Sequence, residues 1–200
     1  MIINLAGRLQ DVQSYVEALY NKFQSAELSY HNLEHTQKVV QRCHEISEAY
    51  FIDETDKFIL FTSAWFHDAG HLSGLPLNHE ERSVEIMKTY FENKMDDTKI
   101  IDAIAGCIMA TKIPHDPKTL PEKIIADADT YNLGTKDFID TDSGVKKELQ
   151  LRTDLALDDW NSKTLNMLIN HAFFTAYCRE LLNKGKQENI AIAIKRMQGD

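Results

Sequence analysis

An adjacent histidine and aspartate, His67 and Asp68, follow directly on a strongly apolar stretch, residues 58–66. Because that stretch is hydrophobic on all sides, it predicts a central buried helix that delivers both side chains to the interior. Polar side chains in a protein interior need partners, and a metal ion is one of the few that satisfies histidine and aspartate together. The pair therefore predicts part of a buried metal site, and another histidine, His71, lies one turn further on.

Two more candidate ligands lie on the predicted inward faces of other helices. His35 stands four residues before Val39, the first member of a helical apolar stripe. Asp129 shares a helix face with Ile125 and Leu133 at four-residue spacing. Together with the pair they predict four ligands from three helices, and imidazole nitrogen with carboxylate oxygen suits Mn, Fe, Co, Zn or Mg. No cysteine takes part, which argues against a structural zinc site.

The elements that must position these ligands are all helical. Almost every segment shows helical periodicity and none predicts a strand, so we expect an all-α fold, a single helical bundle with the metal site in its core. We expect residues 1–200 to form one domain, with a motif-bearing core at about 28–135 and C-terminal helices at 144–198. The predicted helices span residues 4–23, 33–50, 54–69, 79–93, 97–111, 121–134, a stretch from about 144, 158–183 and 187–198.

Composition excludes several classes of partner. The chain has 200 residues and a net charge of −9, which argues against a nucleic-acid polymer or a membrane surface. The longest apolar segment, residues 100–110, is too short to cross a bilayer, and the first ten residues lack the blocks of a secretion signal. Three scattered cysteines fit reduced thiols. We therefore expect a cytoplasmic protein.

Three short strings occur in an informative order. They are Tyr30-His31-Asn32-Leu33-Glu34-His35, then His67-Asp68-Ala69-Gly70-His71, then Ala126-Asp127-Ala128-Asp129. The set resembles the HD-domain superfamily of metal-dependent phosphohydrolases, over roughly residues 28–135. The first two strings are also similar to the YHNxxH and HDxxH strings of cyclic-nucleotide phosphodiesterases, which share that fold. The chain is shorter than those phosphodiesterases, and their base-binding glutamine does not stand out in it.

The resemblance implies a role for each residue of these strings. The implied metal ligands are His35, His67, Asp68 and Asp129, which would hold a divalent ion that generates hydroxide near neutral pH. That hydroxide would attack the phosphorus of a small, nucleotide-like phosphate ester. His31 would protonate the leaving oxygen, and His71 would orient the attacking water or bind a second metal ion through water.

The metal count and the reaction class both remain open at this point. His79 and His115 are candidate ligands of a second metal ion, and Glu80 is a candidate catalytic or supporting carboxylate. One or two ions per chain are therefore expected, and a homodimer stays open. The alternatives to a phosphohydrolase are a di-iron oxygenase, which would require all six ligands, and a non-catalytic metal-binding signalling module.

Several other polar residues receive structural interpretations. Asp127 lies on a different helix face from Asp129 and is interpreted as a supporting or surface carboxylate. His44 and His171 are interpreted as structural histidines, and residues 137–142 as a solvated turn.

Overall fold

A computed structural model describes residues 5–198 of the chain. These residues form nine α-helices and two 3₁₀ segments, and they contain no strand, which confirms the predicted all-α class. The 3₁₀ segments are Ala69–Ser73 and Tyr131–Gly134. The α-helices are α1 (Leu5–Phe23), α2 (Leu33–Ser47), α3 (Glu54–Phe66), α4 (His79–Phe91), α5 (Thr98–Met109), α6 (Leu120–Asp129), α7 (Phe138–Arg152), α8 (Trp160–Asn170) and α9 (Ala176–Gln198).

Helix α3 is the central element of the bundle. Every residue from Phe58 to Phe66 is buried, and α1, α2, α5 and α6 all pack against the helix. The helix begins at Asp53, whose side chain accepts the N–H of Asp56. A helix that is apolar on every face must be covered on every face, and these four neighbours provide that cover.

Capping interactions fix the starts of the two helices that bring further ligands to α3. Asn32 precedes α2 and accepts the N–H of His35. Thr119 precedes α6 and forms a reciprocal capping box with Glu122. Both helices pack against α3 and against each other, so the first turn of α2 and the last turn of α6 meet beside the C-terminal end of α3.

A glycine allows α4 to approach the end of α3. A Cβ atom on Gly70 would lie 2.0 Å from the carbonyl oxygen of His79, so no residue with a side chain fits there without a backbone shift. The Gly70 N–H also donates to the Ser83 hydroxyl at 2.8 Å. This close approach places His79, the first residue of α4, next to the 3₁₀ turn that follows Asp68.

The C-terminal third differs from the prediction in two places. The predicted helix over 158–183 is wrong, because α8 ends at Asn170 and α9 begins at Ala176 and continues to Gln198 without the predicted second break. The cause is Asp127, which is fully buried and accepts the N–H groups of Phe174 and Thr175 at 2.8 Å each. A carboxylate 47 residues away in sequence holds this break, so local periodicity does not reveal it.

The predicted solvated turn at residues 137–142 is also wrong. Helix α7 begins at Phe138, whose side chain is 1% exposed. Asp142 accepts hydrogen bonds from Trp160 and from the Thr164 hydroxyl, at 3.0 and 2.8 Å, so this residue faces α8, whereas Asp137 and Asp140 are exposed. Within residues 5–198, none of the helices combines the length and the apolar character that crossing a bilayer requires.

Candidate metal centre and active site

Four polar side chains converge where α2, α3 and α6 meet. His35 Nε2 lies 3.1 Å from Asp129 Oδ1 and 3.3 Å from Asp68 Oδ2. His67 Nε2 lies 3.2 Å from Asp68 Oδ2 and 3.6 Å from Asp129 Oδ1. The two Nε2 atoms are themselves 3.4 Å apart. The residues predicted as ligands are therefore brought together, two imidazoles and two carboxylates around one point.

The donor set fits a single divalent ion. Neighbouring donor atoms that each lie about 2.0–2.2 Å from one ion are roughly 3–3.6 Å apart, and the observed distances between donor atoms match this spacing. His67 Nδ1 donates to the Ala64 carbonyl at 2.9 Å, which leaves the Nε2 lone pair facing the cluster. Asp68 Oδ2 is buried and accepts no well-aligned hydrogen bond from the described residues. A buried carboxylate oxygen in that position needs a cation.

The charges of the cluster point to the same conclusion. Burial opposes ionisation of Asp68, but the adjacent His67 and the contact with His35 hold the pKa of Asp68 well below its usual range. Asp129 behaves in the same way, and its pKa is also lowered. Two ionised carboxylates and two imidazoles in a dry site match the charge of one divalent cation, since the two carboxylates balance it.

Three more histidines form a stack beside the other oxygen of Asp68. The ring of His71 lies between those of His31 and His79, with centroids 4.2 and 4.0 Å away. Asp68 Oδ1 is 3.3 Å from His79 Nε2 and 3.9 Å from His71 Nε2. Asp68 thus separates two groups, with the ligand cluster on Oδ2 and the histidine stack on Oδ1.

A sequence profile described as the HD domain matches residues 32–133, which include all four candidate ligands. The chain belongs to the HD domain family. This confirms the resemblance drawn from the three strings. A solved crystal structure, described as a predicted HD superfamily hydrolase from an uncultured Thermotogales bacterium, is 15% identical with a TM-score of 0.57. The match covers 94% of this chain and 88% of that one, so the likeness of fold extends to the C-terminal helices. No curated protein matches the chain.

A buried carboxylate that was not predicted from the sequence, Glu148, orients the ring of His31. Glu148 on α7 is 1% exposed, and its Oε1 lies 2.8 Å from His31 Nδ1. Its Oε2 accepts the N–H groups of Tyr30 and His31 at 2.8 and 2.9 Å. Burial works against ionisation of Glu148, but the His31 ring and these N–H donors lower its pKa to about 2. Glu148 is therefore a carboxylate near neutral pH and accepts a hydrogen bond from His31 Nδ1–H.

A second residue whose role was not predicted from the sequence, Arg152, lies one turn further along α7. Its guanidinium donates to Glu148 Oε1 at 3.0 Å and contacts the ring of His71. The only sequence signal was an acidic and a basic residue four apart on a helix, a spacing that is typical of solvent-exposed pairs.

The remaining predicted residues fall into two groups. His79 and Glu80 lie near the site, with Glu80 Oε2 3.4 Å from His79 Nδ1 and its side chain buried. Glu80 thus contacts His79 and is not among the groups around His35 and His67. His115, predicted as a second-metal ligand, is not brought to the cluster in the described structure. Its ring lies 6.1 Å from that of His171 and 6.0 Å from Phe174, because the loop after α5 runs toward the α8–α9 junction.

The histidines interpreted as structural have protein partners. His171 Nε2 is 3.1 Å from the Thr130 hydroxyl, and His44 stacks on Phe61 with centroids 3.8 Å apart.

A cleft of 510 Å³ opens onto His35 and Asp129 between α2, α6 and the start of α7. Asp129 is 22% exposed on this side. Amide and hydroxyl groups line much of the wall, from Asn32, Gln41, Asn132 and Thr141 among others. The two lining cations are both paired, Lys38 with Glu34 and Arg42 with Glu45.

Proposed function

We propose that this HD-domain protein is a divalent-metal-dependent phosphohydrolase that cleaves a phosphate ester of a small, nucleotide-like molecule. The observation that carries the proposal is the pairing of His31 with the buried carboxylate of Glu148, beside a metal-ligand set of two histidines and two aspartates. An acid beside a metal-ligand set suits the cleavage of a phosphorus–oxygen bond, in which a leaving oxygen must be protonated.

The ligand set would hold the ion and leave part of its coordination sphere for water and substrate. The ion, when bound, supplies a nucleophilic water near neutral pH and offsets charge on the phosphoryl oxygens. His35, His67, Asp68 and Asp129 would be its ligands. His35, His67 and Asp68 are buried and Asp129 faces the cleft, so the chain fixes the positions of the donors and leaves one side of the site open to substrate.

His31 is the proposed general acid. Glu148 accepts a hydrogen bond from His31 Nδ1–H, so Nε2 is the nitrogen from which the protonated ring would transfer a proton, and the side chain is 22% exposed. His31 would donate the Nε2 proton to the leaving oxygen as the phosphorus–oxygen bond breaks. The neutral imidazole left behind keeps its Nδ1–H on Glu148, so the ring does not need to reorient before it is protonated again.

The 510 Å³ cleft is the proposed site for the remainder of the substrate. Its amide and hydroxyl groups suit the heteroatoms of a ribose or a base. Asp137 and Asp140 also line it, and its two cations are already paired. A chain of extra phosphates would therefore meet negative charge, which favours a substrate with a single phosphate.

The oxygenase alternative loses support from the position of His115. That reading required six ligands, and His115 lies with His171 and Phe174 in the described structure. This position of His115 does not support a site in which six such side chains hold two ions.

The test is a hydrolysis screen of nucleoside monophosphates, cyclic nucleotides and an aryl phosphodiester, each with Mn²⁺, Co²⁺ or Mg²⁺. We expect release of phosphate or alcohol by the wild type, and loss of activity in Asp68→Ala and His31→Ala. His44→Gln is the matched control, since His44 stacks on Phe61 away from the ligand cluster. A metal-loaded wild-type protein that is inert across the whole panel would contradict the proposal, as would oxygen consumption by the iron-loaded protein.

A further inference from the structure

The two ring nitrogens of His71 have very different surroundings. Its side chain is 1% exposed, and the ring lies between those of His31 and His79. Nδ1 is 2.9 Å from Arg152 Nη1. Nε2 is buried and has no hydrogen-bond partner among the described residues. An unpartnered polar nitrogen in the interior is costly, so this one is expected to have a partner that the protein itself does not provide.

The contact with Arg152 decides which nitrogen of His71 carries the hydrogen. A guanidinium has five N–H donors and no acceptor, so at 2.9 Å His71 Nδ1 must accept. A neutral imidazole that accepts at Nδ1 carries its hydrogen on Nε2. A hydrogen on Nδ1, in the other tautomer or in the imidazolium, would place two N–H groups against each other.

Arg152 is itself held in place by several contacts. Its side chain is 7% exposed, and it donates to Glu148 Oε1 at 3.0 Å and to the His71 carbonyl at 2.9 Å. It also donates to the Gly74 carbonyl. A guanidinium with four acceptors around it has little freedom to turn away from His71. The fold therefore determines which ring nitrogen of His71 carries the hydrogen.

A metal ligand must present a lone pair, and a nitrogen that carries a hydrogen cannot. His31, Asp68 and His71 each offer an atom within 4.8 Å of the others, a spacing that by itself would admit a second ion. The hydrogen on His71 Nε2 removes one of these three ligands. The Nε2–H group is 3.9 Å from Asp68 Oδ1, too far for a hydrogen bond, and it is free to donate to an oxygen that lies to one side of the line between the two atoms.

We propose that Arg152 is a positioning residue that keeps His71 a hydrogen-bond donor, so that the HD site of this protein binds one metal ion and uses His71 to hold an oxygen. The oxygen belongs to water in the resting protein. During turnover it belongs to the phosphoryl group, and this part rests on the proposed phosphohydrolase function.

Metal stoichiometry tests the proposal without any assay of turnover. Metal-free protein is titrated with Co²⁺ and Mn²⁺ by calorimetry, and the dialysed protein is analysed for metal content. We expect one ion per chain in the wild type. In Arg152→Met, Nδ1 is free to carry the hydrogen and Nε2 becomes a ligand, so a second ion should bind beside His31 and Asp68, at least roughly tenfold more tightly than any second ion in the wild type. Arg152→Lys retains a donor and should stay at one ion.

A direct measurement of the tautomer keeps the proposal testable if Arg152→Met does not fold. Long-range proton–nitrogen correlation spectra of histidine-labelled wild type, with His71 assigned through His71→Gln, should show the Nε2–H form. A hydrogen on Nδ1 overturns the proposal. The proposal is also overturned if the wild type binds two ions tightly and His71→Gln binds only one of them. It is likewise overturned if Arg152→Met folds and still binds one ion.

Arg179→Met is the matched control for loss of an arginine, since the described hydrogen bonds of the Arg179 guanidinium go to the carbonyls of Phe173 and Phe174. It should bind one ion. If the hydrolysis screen fails but the expected metal stoichiometries and the Nε2–H form of His71 are observed, the proposed function is rejected. The positioning role of Arg152 is then still supported.

Discussion

Glu148 Oε1 lies 2.8 Å from His31 Nδ1, while Oε2 of the same carboxylate accepts the N–H of His31. One buried side chain therefore fixes both the ring of His31 and the backbone that carries it. The contact spans 117 residues of sequence and joins α7 to the segment just before α2. The proposed acid is thus oriented by a part of the fold that contributes no metal ligand.

His31→Ala should lower kcat by about 10²–10⁴ for an alkyl phosphate ester, the usual contribution of a general acid. The loss should be much smaller for a p-nitrophenyl ester, because that leaving group departs without a proton. Parallel rate measurements on the two esters, with metal content checked, test this. An equal loss on both esters would show that His31 acts on something other than the leaving oxygen.

Glu148→Gln should make the stability of the protein less dependent on pH. The pKa of Glu148 falls from 4.5 to about 2 on folding, so its stabilising contribution is fully present above about pH 5 and is lost as the pH falls toward 2. The contribution has an upper bound of roughly 3 kcal/mol. Urea unfolding of both proteins at pH 7, 5, 4 and 3 should give a difference that is constant at the first two values and shrinks at the last two. Glu54→Gln, which removes an exposed carboxylate paired with Lys57, is the control. A difference between Glu148→Gln and wild type that stays constant down to pH 3 would contradict this assignment.

Removal of the ion should destabilise the protein. An ion that binds only the folded state at about 100 times its Kd adds roughly 2.7 kcal/mol, which for a chain of this size raises Tm by about 5–10 °C. Thermal unfolding with EDTA and with added Mn²⁺ should show this rise in the wild type. Asp129→Asn should abolish it, whereas Asp140→Asn, on the wall of the cleft, should not. A Tm that ignores Mn²⁺ in a protein shown to bind the ion would contradict the proposed site.

The two aspartates of the Ala126–Asp129 string should behave in opposite ways. Asp127→Asn should lower the free energy of unfolding by about 1–3 kcal/mol. The two oxygens of Asp127 together accept three hydrogen bonds from Phe174 and Thr175, and an amide has only one oxygen to accept them. Metal affinity of the folded variant should be unchanged. For Asp129→Asn the metal affinity should fall. Denaturant unfolding and metal titration of both variants test these two roles. A loss of metal binding in Asp127→Asn would show that Asp127, and not only Asp129, contributes to the metal site.

The metal ligands were predictable because each is tied to a local helical pattern. His35 continues the stripe of Val39 one turn back, and Asp129 continues the stripe of Ile125, so burial could be inferred from spacing within a single helix. The Asn32 cap and the apolar run before His67 gave the helix boundaries that set those faces.

The remainder of the site depends on contacts between distant segments. Glu148 and Arg152 look like an exposed pair on a helix until α7 is packed against residues 29–31, and the break between α8 and α9 follows from a carboxylate on α6. The direction of the loop that carries His115 is likewise set by packing near His171. No local periodicity encodes these three features.

Helix α7 lies outside the segment that the HD profile matches, residues 32–133, although it carries both Glu148 and Arg152. The family match therefore includes the four candidate metal ligands and does not include the two residues that contact the rings of His31 and His71. Two chains that share the matched segment can therefore differ at the helix turn that carries Glu148 and Arg152. The residues at these two positions are a second feature, beside the histidine–aspartate motif, by which such chains can be compared.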